Sequence, residues 1–473
     1  MDGPAAEGWL ARVALRFTAF SERYVPDAFV FALIATVLVF GLGLGVARAH
    51  PVELVAAWGK GFWELIPFTM QMALVIITGY VLATARPVAR LIVRLAGIPR
   101  SPRQATMLVA VFAMLTSWLN WGFSLIFSSV LAREVARRRP DTDYRALAAT
   151  SFLGLGSIWA QGLSGSAALQ MCTPGALPPA IRDVVARGGV VEGGLIPLRH
   201  TIFLWQSLLA VAVEILVVTL VVCWFTPSAA RARSAASLGV DLGPVPGAPE
   251  APAAARLPGE RLEHSPVLNL VVVALGGAYL TWLLARSPSV VAAINLNVLN
   301  LGFLLLGFLL HWTPARLMRA VREATPAVWG VILQFPFYAG IAGMIVYTHL
   351  NERIAGFLVS ISSRTSFPPL IALYSAGLGV FVPSGGSKWV IEAPYVMAAA
   401  HDLRVHLGWM VAVYDLGEAL ANLVQPFWML PTLAILGLKA RDVMGYTFIV
   451  FLVLLPVVLV LVTLLGTTLS YPL

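Results

Sequence analysis

The sequence predicts an all-α polytopic membrane protein, built as an inverted repeat with two re-entrant hairpins and broken helices. Three observations carry this. Of 473 residues, 59% are hydrophobic and only 12% charged, with a mean hydropathy of +0.84, whereas about a quarter of a soluble domain is charged. Apolar runs of about 20 residues, long enough to cross the hydrocarbon core, recur from end to end. Two stretches in each half are interrupted by Gly, Ser or Asn, in mirrored order. The runs are continuous rather than alternating, which excludes a membrane β-barrel. The net charge of +9 is almost all arginine, the only lysines being Lys60, Lys388 and Lys439. The arginines fall between apolar runs, where they report orientation, not nucleic-acid binding. Cys172 and Cys223 are expected near opposite faces and are not paired.

Arg12, Arg16 and Arg23 place the N-terminus on the cytoplasmic side. Ala28 to Val46 then leaves the cytoplasm and Trp63 to Ala83 returns. Arg86 to Arg103 reads as a basic interfacial segment. Ala105 to Leu131 has arginines on both flanks. A hairpin satisfies both, entering and leaving on one side with its turn near Trp118-Leu-Asn120-Trp-Gly122; non-helical backbone at depth requires protein or a cavity around it. Ala146 to Gln170 crosses outward, broken at Gly162-Leu-Ser164-Gly-Ser166. Thr173 to Arg199 is an external loop, and Thr201 to Phe225 crosses back.

The first repeat is therefore 1–226. Residues 227–264 hold the low-complexity stretch Pro244 to Pro252 and read as a flexible cytoplasmic linker. The remainder, 265–473, is one extra helix plus the second repeat. Val267 to Leu284 goes out, Val290 to Leu310 comes in, and Arg316, Arg319 and Arg322 mark a second basic interfacial segment. Ala327 to Tyr347 goes out. Pro368 to Ala400 is a second hairpin, broken at Pro383-Ser-Gly-Gly-Ser387. Leu407 to Gly437 comes in and Val443 to Leu465 exits. Inverted repeats with broken helices recur in secondary transporters.

Each break starts a new helix, whose free N–H groups and dipole favour an anion. The candidate breaks are Trp118–Ser124, Gly162–Ser166, Pro383–Ser387 and Asp415–Asn422. They supply the candidate substrate-binding residues Asn120, Gly122, Ser164, Gly165, Ser166, Ser384, Gly385, Gly386, Ser387, Lys388 and Asn422. Charges inside apolar runs point to function. Lys388 and Glu392, four apart, can neutralise one another, while Glu392, Asp415 and Glu418 are candidate coupling or charge-partner carboxylates. Glu214, on an unbroken run, reads as structural. The Gly-Leu-Ser-Gly run at 162–165 also fits an intramembrane serine protease, but every histidine falls at a helix end or in a loop, which leaves such a serine without a base. With no Walker A, HExxH or paired CxxC motif, no cofactor or metal is expected beyond a coupling ion, H+ or Na+.

Several motifs resemble the short-chain fatty acid transporter family of the AtoE type. Val382-Pro-Ser-Gly-Gly-Ser-Lys-Trp389 is similar to its VPSGG-W stretch, and Asn120-Trp-Gly-Phe123 and Leu163-Ser-Gly-Ser166 are similar to its first two breaks. Gly417-Glu418, Asn422 and Gln425-Pro-Phe-Trp428 resemble its late GE…N…QPFW pattern. The resemblance covers nearly the whole chain outside the linker. It implies an inner-membrane carrier of acetoacetate, butyrate and similar acids, with the lipid bilayer and a second copy of the chain, in a homodimer, as partners. Lys388 and Glu392 stand where the family often has uncharged residues, which leaves the exact acid open. A dicarboxylate carrier and an anion channel are the alternatives.

Overall fold

A 29-residue apolar element, Tyr144–Cys172, cannot stay a straight helix with glycines at 154, 156, 162 and 165, and it does not. The computed structural model describes residues 28–243, 258–288, 290–382 and 384–473; Arg12, Arg16, Arg23, residues 244–257 and Pro383 lie outside the described residues. Within that element, α7 (Tyr144–Leu153) widens into a π turn at Gly154–Ile158, tightens into a 3-10 turn, and breaks at 162–165 before α8 (Ser166–Cys172). Before it come α1 (Ala28–Gly45), α2 (Pro51–Phe62), α3 (Ile66–Thr84) and α4 (Arg86–Leu95). Then follow α5 (Pro102–Leu119) and α6 (Trp121–Arg138), and after α8 come α9 (Pro179–Val185) and α10 (Trp205–Phe225).

The second part has α11 (Val267–Arg286), α12 (Leu296–His311), α13 (Pro314–Ala324), α14 (Trp329–Tyr347) and α15 (Leu350–Ile361). It continues with α16 (Phe367–Phe381), α17 (Gly385–Asp402), α18 (Leu407–Ala421), α19 (Leu430–Leu436) and α20 (Ala440–Gly466). Among the described residues six helices are long and apolar enough to cross a membrane.

The packing is reciprocal. α14 packs on α1 and α2, while α3 packs on α12 and α13; α3 packs on α6, and α14 on α17; α5 packs on α7 and α10, and α16 on α18 and α20. Half-helix α8 lies on α17, and half-helix α19 on α6. Reciprocal contacts of this kind are what a twofold axis relating two halves produces. α11 has no counterpart and, apart from its contact with α12, is almost wholly exposed.

Both expected hairpins form. α5 and α6 are antiparallel arms joined at Asn120, whose extended backbone ends one helix and starts the next. Eighteen residues per arm is about 27 Å at ~1.5 Å per residue. Both feet stand on the face where α10 ends. Thr106 at the foot of α5 bonds Thr226 through hydroxyls 2.7 Å apart, and Arg137 at the foot of α6 donates to the carbonyls of Leu242 (3.0 Å) and Gly243 (2.8 Å). The second hairpin opens on the other face. His401 and Tyr471 are 2.9 Å apart there, and Arg364 donates to the carbonyl of Leu469 at 3.0 Å. α10 and α20 run antiparallel between the faces, Gln206 bonding Thr468 at one end and the ring of Phe225 packing at a tilt on Tyr446 at the other.

Two expectations are corrected. Asp415–Asn422 is not a break: Asp415 and Glu418 sit inside α18, and the interruption is at 422–426. Gly417 serves a close helix crossing there, since a methyl group on it would fall 2.3 Å from the carbonyl of Ala372. Pro426, which lacks an N–H, lies in the true break. The crossing from Leu407 to Gly437 is broken as expected, but at this later point. Secondly, residues 228–243 do not behave as a loose tether: besides the Arg137 bonds, Arg233 accepts from the N–H of Tyr144 at 2.8 Å and donates its own to Asp143 at 3.1 Å. The guanidinium groups at the end of α6 supply donors that low-complexity composition does not reveal. Helices α2 and α15 were not expected at all.

Candidate functional site

The two hairpin tips and the two broken helices converge in the core, and a single lysine sits among them. Lys388 belongs to the first turn of α17 and is fully buried. Its Nζ lies 3.4 Å from Glu392 Oε1, one turn along, and is in direct contact with Glu418 of α18. It also donates to the carbonyl of Ser375 on α16 at 2.5 Å and stands 4.9 Å above the ring of Tyr414. Glu392 accepts from the Ser375 hydroxyl at 2.6 Å. The expected Lys388–Glu392 pair is thus a triad in which Glu418 is the nearer carboxylate.

The tip of α17 is tightly held. Ser384 precedes the helix in extended conformation, and its hydroxyl bonds that of Ser387 rather than capping the helix. Tyr414 donates to the carbonyl of Gly385 at 2.5 Å and Gln170 to that of Gly386 at 2.9 Å. A methyl group on Gly385 would lie 2.5 Å from Cη2 of Trp159; one on Gly386 would lie 3.0 Å from the ring of Phe68 and 3.1 Å from Cβ of Ser166. Ser166 therefore borders this tip, with Gly165 just before it as the last non-helical residue.

The first tip is built differently. Asn120 Oδ1 accepts from the N–H of Phe123 at 2.8 Å, and Ser164 Oγ accepts from that of Trp121 at 2.9 Å. The N-terminus of α6 is thereby capped twice by protein, with Gly122 packed in its first turn against α3. Asn120 Nδ2 is buried with no hydrogen-bond partner. Break and tip meet closely: Leu163 donates to the carbonyl of Trp118 at 2.7 Å, and a methyl group on Gly162 would fall 2.2 Å from that oxygen. Trp159 separates the tips, with ring centres 6.3 Å from Trp121 on one side and Gly385 on the other.

Asp415 is one turn before Glu418 and faces the backbone N–H of Ala168, in the first turn of α8. The N-terminus of that half-helix is thus also met by a carboxyl group of the protein, and Asp415 Oδ2 keeps no partner. Asn422 lies one turn after Glu418. Its Nδ2 donates to the carbonyl of Leu155 in the π turn at 3.0 Å, and its Oδ1 accepts from Gln425 at 2.8 Å. Glu214 stands apart, held by Gln161 at 2.9 Å next to the break at 162–165. Sequence reading missed Tyr414, Trp159, Gln170, Phe68 and Ser375. Buried aromatic residues in apolar runs carry no sequence signal that separates a site from a core.

A sequence profile described as Short chain fatty acid transporter matches residues 9–465. An Escherichia coli protein named as a short-chain fatty acid transporter is 37% identical, covering 92% of this chain and 96% of its own length. A Haemophilus influenzae protein with the same name is 33% identical over 95% of this chain and 99% of its own. Among solved structures, the Alcanivorax borkumensis YdaH transporter aligns with a TM-score of 0.58 at 13% identity, covering 94% of this chain and 98% of that one. The Neisseria gonorrhoeae protein MtrF, titled as one of a class of antimetabolite efflux pumps, aligns with a TM-score of 0.56 at 14% identity, covering 97% and 98%. These two likenesses show a shared fold.

Proposed function

The chain belongs to the short-chain fatty acid transporter family, and from that premise we propose that it is a secondary carrier. It moves small monocarboxylates such as acetoacetate and butyrate across the inner membrane, coupled to H+ or Na+. The observation that carries this reading is Lys388, fully buried in the first turn of α17 beside backbone N–H groups that no side chain caps. Helix dipole and exposed N–H groups both favour an anion at that end, and disfavour a lysine left alone there. A substrate carboxylate entering between Lys388 and the N–H groups of Gly385, Gly386 and Ser387 takes the place beside the lysine that Glu418 and Glu392 fill in its absence. One lysine suits one carboxylate, which favours a monocarboxylate over a dicarboxylate. Ser384 borders the same space, and Asn120, with its unpartnered Nδ2, lies across Trp159 from it; Ser164, Gly165, Ser166, Gly122 and Asn422 shape the surroundings.

Coupling rests on charge. Glu392, Glu418 and Asp415 are three carboxylates around one lysine, and buried charges require compensation. A substrate anion that takes over Lys388 releases Glu418, which then needs H+ or Na+. In this reading both hairpins are re-entrant, 1–226 and 265–473 are the two repeats, the N-terminus is cytoplasmic, and two copies assemble into a dimer.

The test is uptake of radiolabelled two- to six-carbon acids into proteoliposomes under imposed H+ or Na+ gradients. Saturable, uphill uptake of monocarboxylates is expected. Downhill flux alone would mean a channel, and preferential uptake of a dicarboxylate would overturn the substrate class.

A further inference from the structure

One carboxyl group in the membrane core belongs to neither tip. Glu214 lies near the middle of α10, about 14 Å from Trp205 and about 17 Å from Phe225 at ~1.5 Å per residue. It is 1% exposed and sits in the buried stripe of Ser207, Ala210, Val211, Val218 and Val221, which turns one face of the helix to the protein. Glu214 is the charged member of that stripe.

The neighbouring elements bring no counter-charge. α10 packs on α5, α20 and the π turn at Gly154–Ile158. The π turn and the 3-10 turn after it hold no charged residue. The charged residue of α5 is Arg103, at the foot marked by the Thr106–Thr226 bond, about 18 Å from Glu214 along α10. Those of α20 are Arg441 and Asp442, near Tyr446, whose ring meets Phe225 about 17 Å away.

The polar neighbour is Gln161, the last residue before the break at 162–165. Its Nε2 donates to Glu214 Oε1 at 2.9 Å and reaches the carbonyl of Ser157 at 3.3 Å. Gln161 is 3% exposed, and its Oε1 keeps no partner. An ionised Glu214 would be a buried charge answered by one neutral donor, which is costly at this depth. A protonated carboxyl group is neutral and carries an O–H donor. The unanswered oxygen of Gln161 is the acceptor that such a donor needs, so acid and amide satisfy one another. Na+ suits the place less well, because an N–H group already holds the carboxyl oxygen that the ion would take, and Ala210, Val211 and Val218 bring no side-chain oxygen.

We propose that Glu214 binds a proton at a site separate from the Lys388 triad, and that this proton holds the break at 162–165 against α10. The effect reaches both tips. Ser164, within that break, caps the start of α6, and Trp159, two residues before Gln161, stands between the tips. Loss of the proton leaves a charge that entering water or a cation must answer, which loosens the break. The consequence for transport rests on the carrier reading; the protonation does not.

Infrared spectra of the purified protein in detergent at neutral pH test the protonation. The parent should show the carbonyl band of a protonated carboxyl group, and Glu214→Gln should lose it. Gln161→Met removes the N–H donor to Oε1; it should move that band to higher frequency and serves if Glu214→Gln does not fold. The same band in parent and variants would overturn the site, and a parental band seen only without Na+ would make Na+ its ligand instead. Exchange of labelled for unlabelled acid, at equal pH on both sides of proteoliposomes and less the leak of protein-free vesicles, tests the consequence. Once Glu214 ionises, parental exchange should fall about tenfold per pH unit. Exchange by Glu214→Gln, whose amide cannot ionise, should stay level over that range. Parallel pH profiles would overturn the hold on the break. A parent that exchanges no acid would overturn the carrier reading, and the spectra would still decide the proton site.

Discussion

Removing the lysine alone should damage the fold, and removing it together with its nearer carboxylate should damage transport instead. Lys388→Gln leaves Glu418 and Glu392 buried without a cation and the Ser375 carbonyl without its 2.5 Å donor. Breaking a buried pair from one side costs about 3–5 kcal/mol, so unfolding in detergent should occur at markedly lower temperature. In Lys388→Gln/Glu418→Gln two amides replace the pair. Glu392 keeps the Ser375 hydroxyl as donor at 2.6 Å but still lacks a cation there, and takes up a proton to stay buried. Most of the lost stability should return. Substrate binding should not, because a charge-assisted hydrogen bond of about 1.5–3 kcal/mol is gone. The apparent affinity for the acid should fall by about tenfold to a hundredfold. Exchange of labelled for unlabelled acid, with equal ion concentrations on both sides of the proteoliposome, reads affinity without depending on coupling. A double variant that folds and exchanges with the parental apparent affinity would refute a substrate role for Lys388 and reduce the triad to scaffolding.

Three further outcomes are expected. Glu418→Gln alone leaves Lys388 paired with Glu392 at 3.4 Å, so exchange should persist while ion-driven accumulation is lost; accumulation at the parental level would remove Glu418 from coupling. Gly385→Val should abolish uptake in a well-expressed protein, because even a methyl group meets Trp159 at 2.5 Å; normal uptake would displace the site from this tip. With Cys172 and Cys223 replaced by Ser, Ser237→Cys should resist a membrane-impermeant maleimide in intact cells and react once they are opened; labelling from outside would invert the proposed orientation.

What the sequence made legible was governed by the bilayer. Runs of about 20 apolar residues and arginine flanks located the long spans and the first hairpin, because a charge in hydrocarbon is costly whatever its neighbours. The breaks at Asn120, Gly162 and Ser384 were legible because only a few residue types tolerate them. Helices α2 and α15 were not, since 12-residue helices lying against the bundle have too short an apolar stripe to separate from loop. The fourth break was misplaced by reading Gly417 as an interruption, when it serves a close crossing with Ala372. Lys388 and Glu392 could be paired from their four-residue spacing. Glu418 as the closer partner could not, because that contact depends on how α17 and α18 cross.

The repeat makes the two tips comparable, and their difference locates the chemistry. At the first tip the donors at the start of α6 are answered by Asn120 and Ser164, and the start of α8 by Asp415. At the second tip the serine in the equivalent place bonds another serine, no side chain caps α17, and a lysine stands where the dipole opposes it. An anion site can form only where donors are left unanswered by the protein. Symmetry therefore accounts for the scaffold, and the departure from it is what the proposed placement of substrate at the second tip rests on. The first tip then acts as a fixed wall, joined to the site by Trp159. A bulky substitution at Gly385 and the loss of Asn120 Nδ2 should accordingly differ in kind: the former removes uptake, while Asn120→Asp, which keeps the Oδ1 cap, should raise the half-saturating concentration without unfolding the hairpin. If Asn120→Asp leaves exchange kinetics unchanged, the first tip has no share in binding.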